Sequence, residues 1–249
     1  MRFNTVVFDC DSTLSAVEGI DELAGNAREE IARLTDAAMR GEVPLEAVYG
    51  RRLEIARPSR AQVEALGRKY IEALVPHAHE VVSALRDEGI VVRLISGGLL
   101  PAVRAVAVEL GLAEDDVAAV DVRFDARGSY TGFDEQSPLA RAGGKREVLA
   151  QWRAILPRPV MFVGDGATDL EARDVVDRFV AFAGVVERAA VVAGADAVIR
   201  ARTLAPVLPL ALGEEPPAPS AHRRTYDLGL SFIEDTARAP NARARSPHS

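Results

Sequence analysis

The sequence predicts an α/β protein with a doubly wound parallel sheet, a helical cap inserted after the first strand and a small β-hairpin. Three observations carry that expectation. Short apolar runs such as 5–8, 90–95 and 159–163 alternate with helix-period segments, the pattern of right-handed βαβ units. Residues 18–74 contain no strand pattern, so a block of helices separates the first two strands. Strand-like runs end in Asp9 and Asp11, in Ser96-Gly97-Gly98 and in Gly164-Asp165-Gly166, and ligands bind beyond the carboxyl ends of such strands.

Taken in order, Thr5 to Phe8 is a buried strand, because Val and Phe suit a pleated surface and polar turn residues bound the run. Leu23, Ile31, Leu34 and Met39 recur at helical spacing, and Gly41 is the expected stop. Pro44 opens a second helix with Leu45, Val48, Leu53 and Ile55 as its apolar positions. Ser59-Arg60-Ala61-Gln62 reads as a capping box opening a third, through Val63, Leu66, Tyr70, Ile71 and Leu74. A helix from Pro76 to Glu88, a strand Ile90–Ile95 closed by Ser96-Gly97-Gly98, and a helix Leu99–Leu110 stopped by Gly111 follow. Val117–Phe124 is a strand, and the turn Asp125-Ala126-Arg127-Gly128 returns it as a hairpin through Tyr130–Phe133. Gly143-Gly144-Lys145 opens the helix to Leu156, and Pro159–Val163 is another buried strand. A helix from Leu170, a strand Phe179–Ala183, a helix Val186–Val192, a strand Ala195–Ile199 and a helix Thr203–Leu212 complete the pattern. The expected division is a core of 1–15 and 75–212, a cap of 16–74 and a disordered tail of 213–249, in which Tyr226–Ile233 is the sole apolar patch.

Composition bounds the function. With 48% hydrophobic and 27% charged residues in 249, the chain can bury a sizeable core. A net charge of −7 and no basic stripe argue against nucleic acid. The single cysteine, Cys10, excludes an internal disulfide framework, and no segment reads as a leader or a membrane span, so a cytoplasmic location is expected. Cys10 has Ala16, not arginine, at the spacing a thiol phosphatase uses, and Arg146 stands where a Walker loop needs Ser or Thr.

The strand ends carry the chemistry. Asp9 and Asp11, one residue apart on an extended chain, are expected to face the same way, and two adjacent carboxylates call for a hard cation or divided acid and base roles. Ser96 with the Gly97 and Gly98 amides offers a hydroxyl and free N–H groups at a helix start, a phosphate cradle. Lys145 at a helix N-terminus opposes the helix dipole unless an anion lies nearby. Asp165 beside Asp9 and Asp11 gives hard oxygen ligands, whereas Asp169 alone would be an ordinary N-cap.

The ordered set D-x-D-x-T, S-G-G, G-K and G-D-G-x-x-D resembles the haloacid dehalogenase superfamily. Glu18 to Ala24, Arg52-Leu53, Arg57 to Arg60, Gly132 to Glu135 and Gly164 to Ala172 narrow the resemblance to the phosphoserine phosphatases, over about residues 3–212. It implies a haloacid dehalogenase-like core and a Mg²⁺-dependent hydrolase of O-phospho-L-serine acting through an aspartyl-phosphate. It implies Asp9 as nucleophile and Asp11 as general acid, then base. Ser96, Gly97 and Lys145 would hold phosphate, and Asp9, Asp11, Asp165 and Asp169 the metal. Glu18 and Arg52 would recognise the substrate ammonium and carboxylate, with Met39 and Thr168 beside them. Arg40 and Leu45 depart from the family's usual glycine and phenylalanine, which bears on cap fit. A phosphorylated small molecule is the expected partner, without nucleic acid or membrane, and a homodimer stays open. Phosphotransfer to another alcohol, a related small-metabolite phosphatase and an inactive binding protein of the same fold remain the alternatives.

Overall fold

A computed structural model describes residues 1–40, 42–43, 45–218 and 220–238. Its centre is a six-stranded parallel sheet. Strand β1 (Thr5–Phe8) is completely buried. It is followed by α1 (Gly19–Glu22), α2 (Arg28–Met39), α3 (Leu45–Ala56) and α4 (Arg60–Glu72) before the sheet resumes. Then come α5 (Ala78–Asp87), β2 (Val91–Leu99), α6 (Leu100–Glu109) and β3 (Val117–Val120). The hairpin is β4 (Val122–Phe124) with β5 (Tyr130–Phe133), paired antiparallel outside the main sheet. The second half runs α7 (Gly144–Arg153), β6 (Val160–Gly164), α8 (Ala167–Leu170), β7 (Arg178–Phe182), α9 (Ala189–Gly194), β8 (Ala197–Ile199), α10 (Val207–Leu212) and α11 (Ser220–Arg238).

Strand order reverses at β1. The chain winds outward through β2 and β3 on one side and through β6, β7 and β8 on the other, so the carboxyl end of β1 is the switch point of the sheet. Thr5↔Val91 and Thr5↔Val160 set the two registers that bring Asp9, the end of β2 and the end of β6 to one edge. Phe8, Leu94, Phe162 and Phe179 fill the core beneath them.

Local chemistry explains most of the boundaries. The Ser59 capping box is complete: Gln62 N donates to Ser59 Oγ at 3.3 Å and Ser59 N to Gln62 Oε1 at 2.8 Å, a device that contributes about 1 kcal/mol. Strand β2 runs on through Ser96-Gly97-Gly98, because a register shift against β3 between Ile95 and Leu99 lets the chain stay extended. The expected strand Val117–Phe124 is broken at Asp121, whose side chain accepts Val122 N–H at 2.9 Å as the chain leaves the sheet for the hairpin. The helix expected from Leu170 instead ends there, and α9 and α10 start later than expected, at Ala189 and Val207. His77 stands at the N-cap position of α5 in a left-handed conformation, with a ring nitrogen 2.7 Å from Thr203 Oγ1.

The segment expected to be a disordered tail contains α11. Tyr226 is 2% exposed, its hydroxyl donates to Gly213 O at 2.7 Å, and a half-buried Leu230 packs on the core. Averaged composition hid the helical spacing of Tyr226 and Leu230. Gly41, Pro44 and 239–249 lie outside the described residues. Among the described residues, no helix is long and apolar enough to cross a membrane.

Candidate active site

Asp9 leaves β1 directly, and its N–H donates to Val163 O at 2.9 Å across the strand pair. Lys145 occupies the first turn of α7, where its ammonium would oppose the helix dipole. Its Nζ instead donates to Asp9 Oδ1 and to Asp169 Oδ1, both at 2.6 Å. The other Asp169 oxygen accepts the N–H groups of Asp165 (3.0 Å) and Gly166 (2.8 Å), so this carboxylate ties the Gly164–Asp169 loop to the lysine. Asp165 accepts Thr13 Oγ1 at 3.3 Å and pairs with Arg188. Asp9, Asp165 and Asp169 each present an oxygen within 4.8 Å of the others, and all three are buried.

Burial, then the Asp169 charge, pushes the Asp9 carboxyl well above its ordinary range, with Lys145 opposing both. Burial works against the Lys145 ammonium, but Asp169 and Asp9 outweigh it and hold the lysine above its usual range. Three carboxylates here face two cations, Lys145 and Arg188. The donors are hard oxygens and the charge balance is negative, which fits a divalent hard cation.

The Asp11 carboxylate does not join that cluster. Strand β1 ends at Phe8, after which Cys10 O accepts N–H bonds from Leu14 (3.0 Å) and Ser15 (2.9 Å), and Ser12 turns left-handed at φ 53°. Asp11 instead faces the helices. Gly19 N–H and Tyr70 O–H donate to its Oδ1, each at 2.6 Å, and Ser96 Oγ donates to its Oδ2 at 3.0 Å.

Ser96 is fully buried and also accepts Gly98 N–H at 2.9 Å. Gly97 O accepts the Tyr49 hydroxyl at 2.8 Å. Glu18, half-buried, accepts Ser12 Oγ at 2.7 Å and lies 3.3 Å from Arg188. Burial and the Asp11 charge push its carboxyl up to about 7, against Ser12 and Arg188. Arg52 is 5% exposed, yet its Nε and Nη1 are buried without a hydrogen-bond partner. Its guanidinium lies 5.7 Å from the Tyr49 ring centroid. Thr168 in α8 lines the same pocket as Asp9, Asp11, Glu18, Arg52, Gly97, Lys145 and Asp165. The side chain of Met39 lies outside the described part, as does that of Leu45.

Sequence reasoning missed two residues here. Arg188 is an unmarked position in an expected helix, and Tyr70 shows in the sequence only as an apolar helix position. Their partners are distant in the chain, so no local pattern marks them.

A sequence profile of the haloacid dehalogenase-like hydrolases matches residues 3–173. The chain belongs to this family. The hydrolase is 42% identical over 196 residues to the chloroplastic phosphoserine phosphatase of Arabidopsis thaliana, across 77% of this chain and 66% of that one, a little under two thirds of the relative. It is 39% identical over 188 residues to the phosphoserine phosphatase of Bos taurus, covering 74% and 84%. A structure described as a phospho-aspartyl intermediate analogue of phosphoserine phosphatase matches with a TM-score of 0.65 at 28% identity, covering 84% of this chain and 99% of that one. The hydrolase is therefore a phosphatase by kinship, and its buried carboxylates suit the divalent metal that chemistry requires.

Proposed function

We propose that this hydrolase converts O-phospho-L-serine to L-serine and phosphate through an aspartyl-phosphate on Asp9, with residues 16–74 acting as the cap. The observation that carries the substrate is Arg52. A buried guanidinium with two orphaned donors is costly unless a ligand completes it, and a carboxylate matches its fork. Its pocket also contains Lys145 and Asp9 for the phosphate end and Glu18 for a substrate ammonium.

In this mechanism Asp9 attacks phosphorus in line, and Lys145 neutralises the equatorial oxygens of the transferring group. The Ser96 hydroxyl and the Gly97 amide hold the phosphate. Mg²⁺, held by Asp9 and Asp165 with Asp169 beside them, would offset the repulsion between carboxylate and phosphate. Asp11 gives a proton to the serine oxygen as it leaves and then takes one from the hydrolytic water. Glu18 and Arg52 orient the amino acid, Thr168 flanks it, and the cap excludes bulk water. The lone buried cysteine suits a reducing, cytoplasmic setting.

The test is a phosphate-release screen over phosphorylated amino acids and sugars, run with and without added alcohols. Phosphoserine should be preferred, with free phosphate and serine released in equal amounts. A preference for sugar phosphates, or phosphate appearing on the alcohol, would overturn the assignment.

A further inference from the structure

We propose that Tyr70 is a positioning residue for proton transfer: its hydroxyl fixes the Asp11 carboxylate so that Oδ2 is left to exchange protons with the substrate oxygen and the water. This deepens the reading of Asp11 as the acid–base group and rests on it. Tyr70 lies in α4 with its side chain fully buried, and its hydroxyl donates to Asp11 Oδ1 at 2.6 Å. Gly19 N–H donates to the same oxygen at 2.6 Å, so Oδ1 already has two short donors. Oδ2 has one, Ser96 Oγ at 3.0 Å, and lies on the Gly98 side of the pocket.

Two glycines clear space for this contact. A Cβ at Gly19 would fall 1.9 Å from the Tyr70 hydroxyl oxygen. One at Gly98 would fall 3.0 Å from Asp11 Oδ2 and 3.3 Å from that hydroxyl. At Gly98 the three nearest atoms are all polar, Asp11 Oδ2, Ser96 Oγ and the Tyr70 hydroxyl, so the space there serves the hydrogen-bonded groups rather than the ring. The helix end that carries Tyr70 is bound to the loop after Asp11: Ser15 Oγ donates to Tyr70 O (3.0 Å), Ala16 N–H to Ala73 O (2.9 Å) and Val75 N–H to Leu14 O (2.8 Å). Phenol and carboxylate are thus anchored to each other.

The test separates the proton-dependent step from the rest. Serine is a poor leaving group that needs the proton, whereas p-nitrophenolate leaves without one. In rapid-mixing experiments, the first turnover reports attack by Asp9 for both substrates. Tyr70→Phe should slow serine release from phosphoserine roughly 10- to 100-fold, the worth of one hydrogen bond to a charged group, and leave the nitrophenolate burst rate and the phosphoserine KM near wild type. Equal slowing of both first turnovers, a change confined to KM, or no change at all would overturn the proposal. Asp11→Asn, run alongside, tells the two ideas apart. If it releases serine at the wild-type rate, the acid–base reading fails and this proposal with it. If it is slow while Tyr70→Phe matches wild type, only the proposal fails. Should Tyr70→Phe not fold, 3,5-difluorotyrosine at position 70 keeps the shape and alters the donor. A change in serine release without one in nitrophenolate release then supports the proposal, and parallel behaviour of the two refutes it.

Discussion

Replacing Arg52 by alanine separates recognition from folding. Nε and Nη1 have no hydrogen-bond partner within the protein, so the substitution removes no hydrogen bond made through them. What goes is side-chain packing and the contact with the Tyr49 ring at 5.7 Å, worth about 0.5–2 kcal/mol. Relief of two buried donors that lack hydrogen-bond partners offsets part of that. Stability should therefore change by no more than about 1–2 kcal/mol, read from the urea midpoint. Activity should change far more. Two charge-assisted bonds to a substrate carboxylate would contribute about 1.5–3 kcal/mol each, less what desolvating that carboxylate costs. A net loss of about 2–4 kcal/mol in kcat/KM, or roughly 30- to 1,000-fold, is expected for phosphoserine. An aryl phosphate has no carboxylate and should lose little, and Arg52→Lys should recover part of the loss because it keeps the charge without the fork. Equal losses on both substrates, or none on phosphoserine, would refute the reasoning.

Other consequences are as direct. Because burial lifts the Glu18 carboxyl from 4.5 to about 7, the phosphoserine kcat/KM should fall as pH drops through about 7, where the group gains a proton and stops attracting an ammonium. Glu18→Gln should abolish that limb, and an aryl phosphate should not show it. The same shift favours the protonated folded state, so its contribution to stability is full below about 4.5 and is lost as pH rises through about 7. EDTA should stop turnover and Mg²⁺ restore it, while Ca²⁺, with a larger and looser shell, should restore it poorly; full activity in chelator would remove the metal from the mechanism. Tyr226→Ala should cost about 3–5 kcal/mol of stability, because α11 is anchored through this buried ring, yet leave kcat/KM unchanged in the folded fraction.

The parallel sheet was legible because its strands are short and apolar, and Asp9 and Asp165 directly follow the ends of β1 and β6, while β2 runs on past Ser96 to Leu99. Asp11 lines the same pocket as Asp9, but its carboxylate is held by Gly19, Tyr70 and Ser96 rather than in the cluster of Asp9, Asp165 and Asp169, a division that no alternation rule reports. Asp169 looked like a simple cap, and it does accept the N–H groups of Asp165 and Gly166. Its second oxygen, on Lys145, is a contact between segments 24 residues apart that no local rule reports. Arg188 and Tyr70 are further cases of that kind, polar atoms on helix-patterned segments whose partners come from distant turns of the chain. The helix α11 was hidden by composition, since prolines before it and arginines within it diluted the Tyr226–Leu230 spacing.

The central claim is that phosphate passes through a covalent bond to Asp9, and rapid acid quench during turnover tests it most directly. Wild-type protein mixed with ³²P-labelled phosphoserine and quenched within one turnover should carry the label on the peptide containing Asp9. The linkage should be the base-labile bond of an acyl phosphate, and Asp9→Asn should show neither label nor turnover. Full turnover without labelled protein, or label on a residue other than Asp9, would contradict the account.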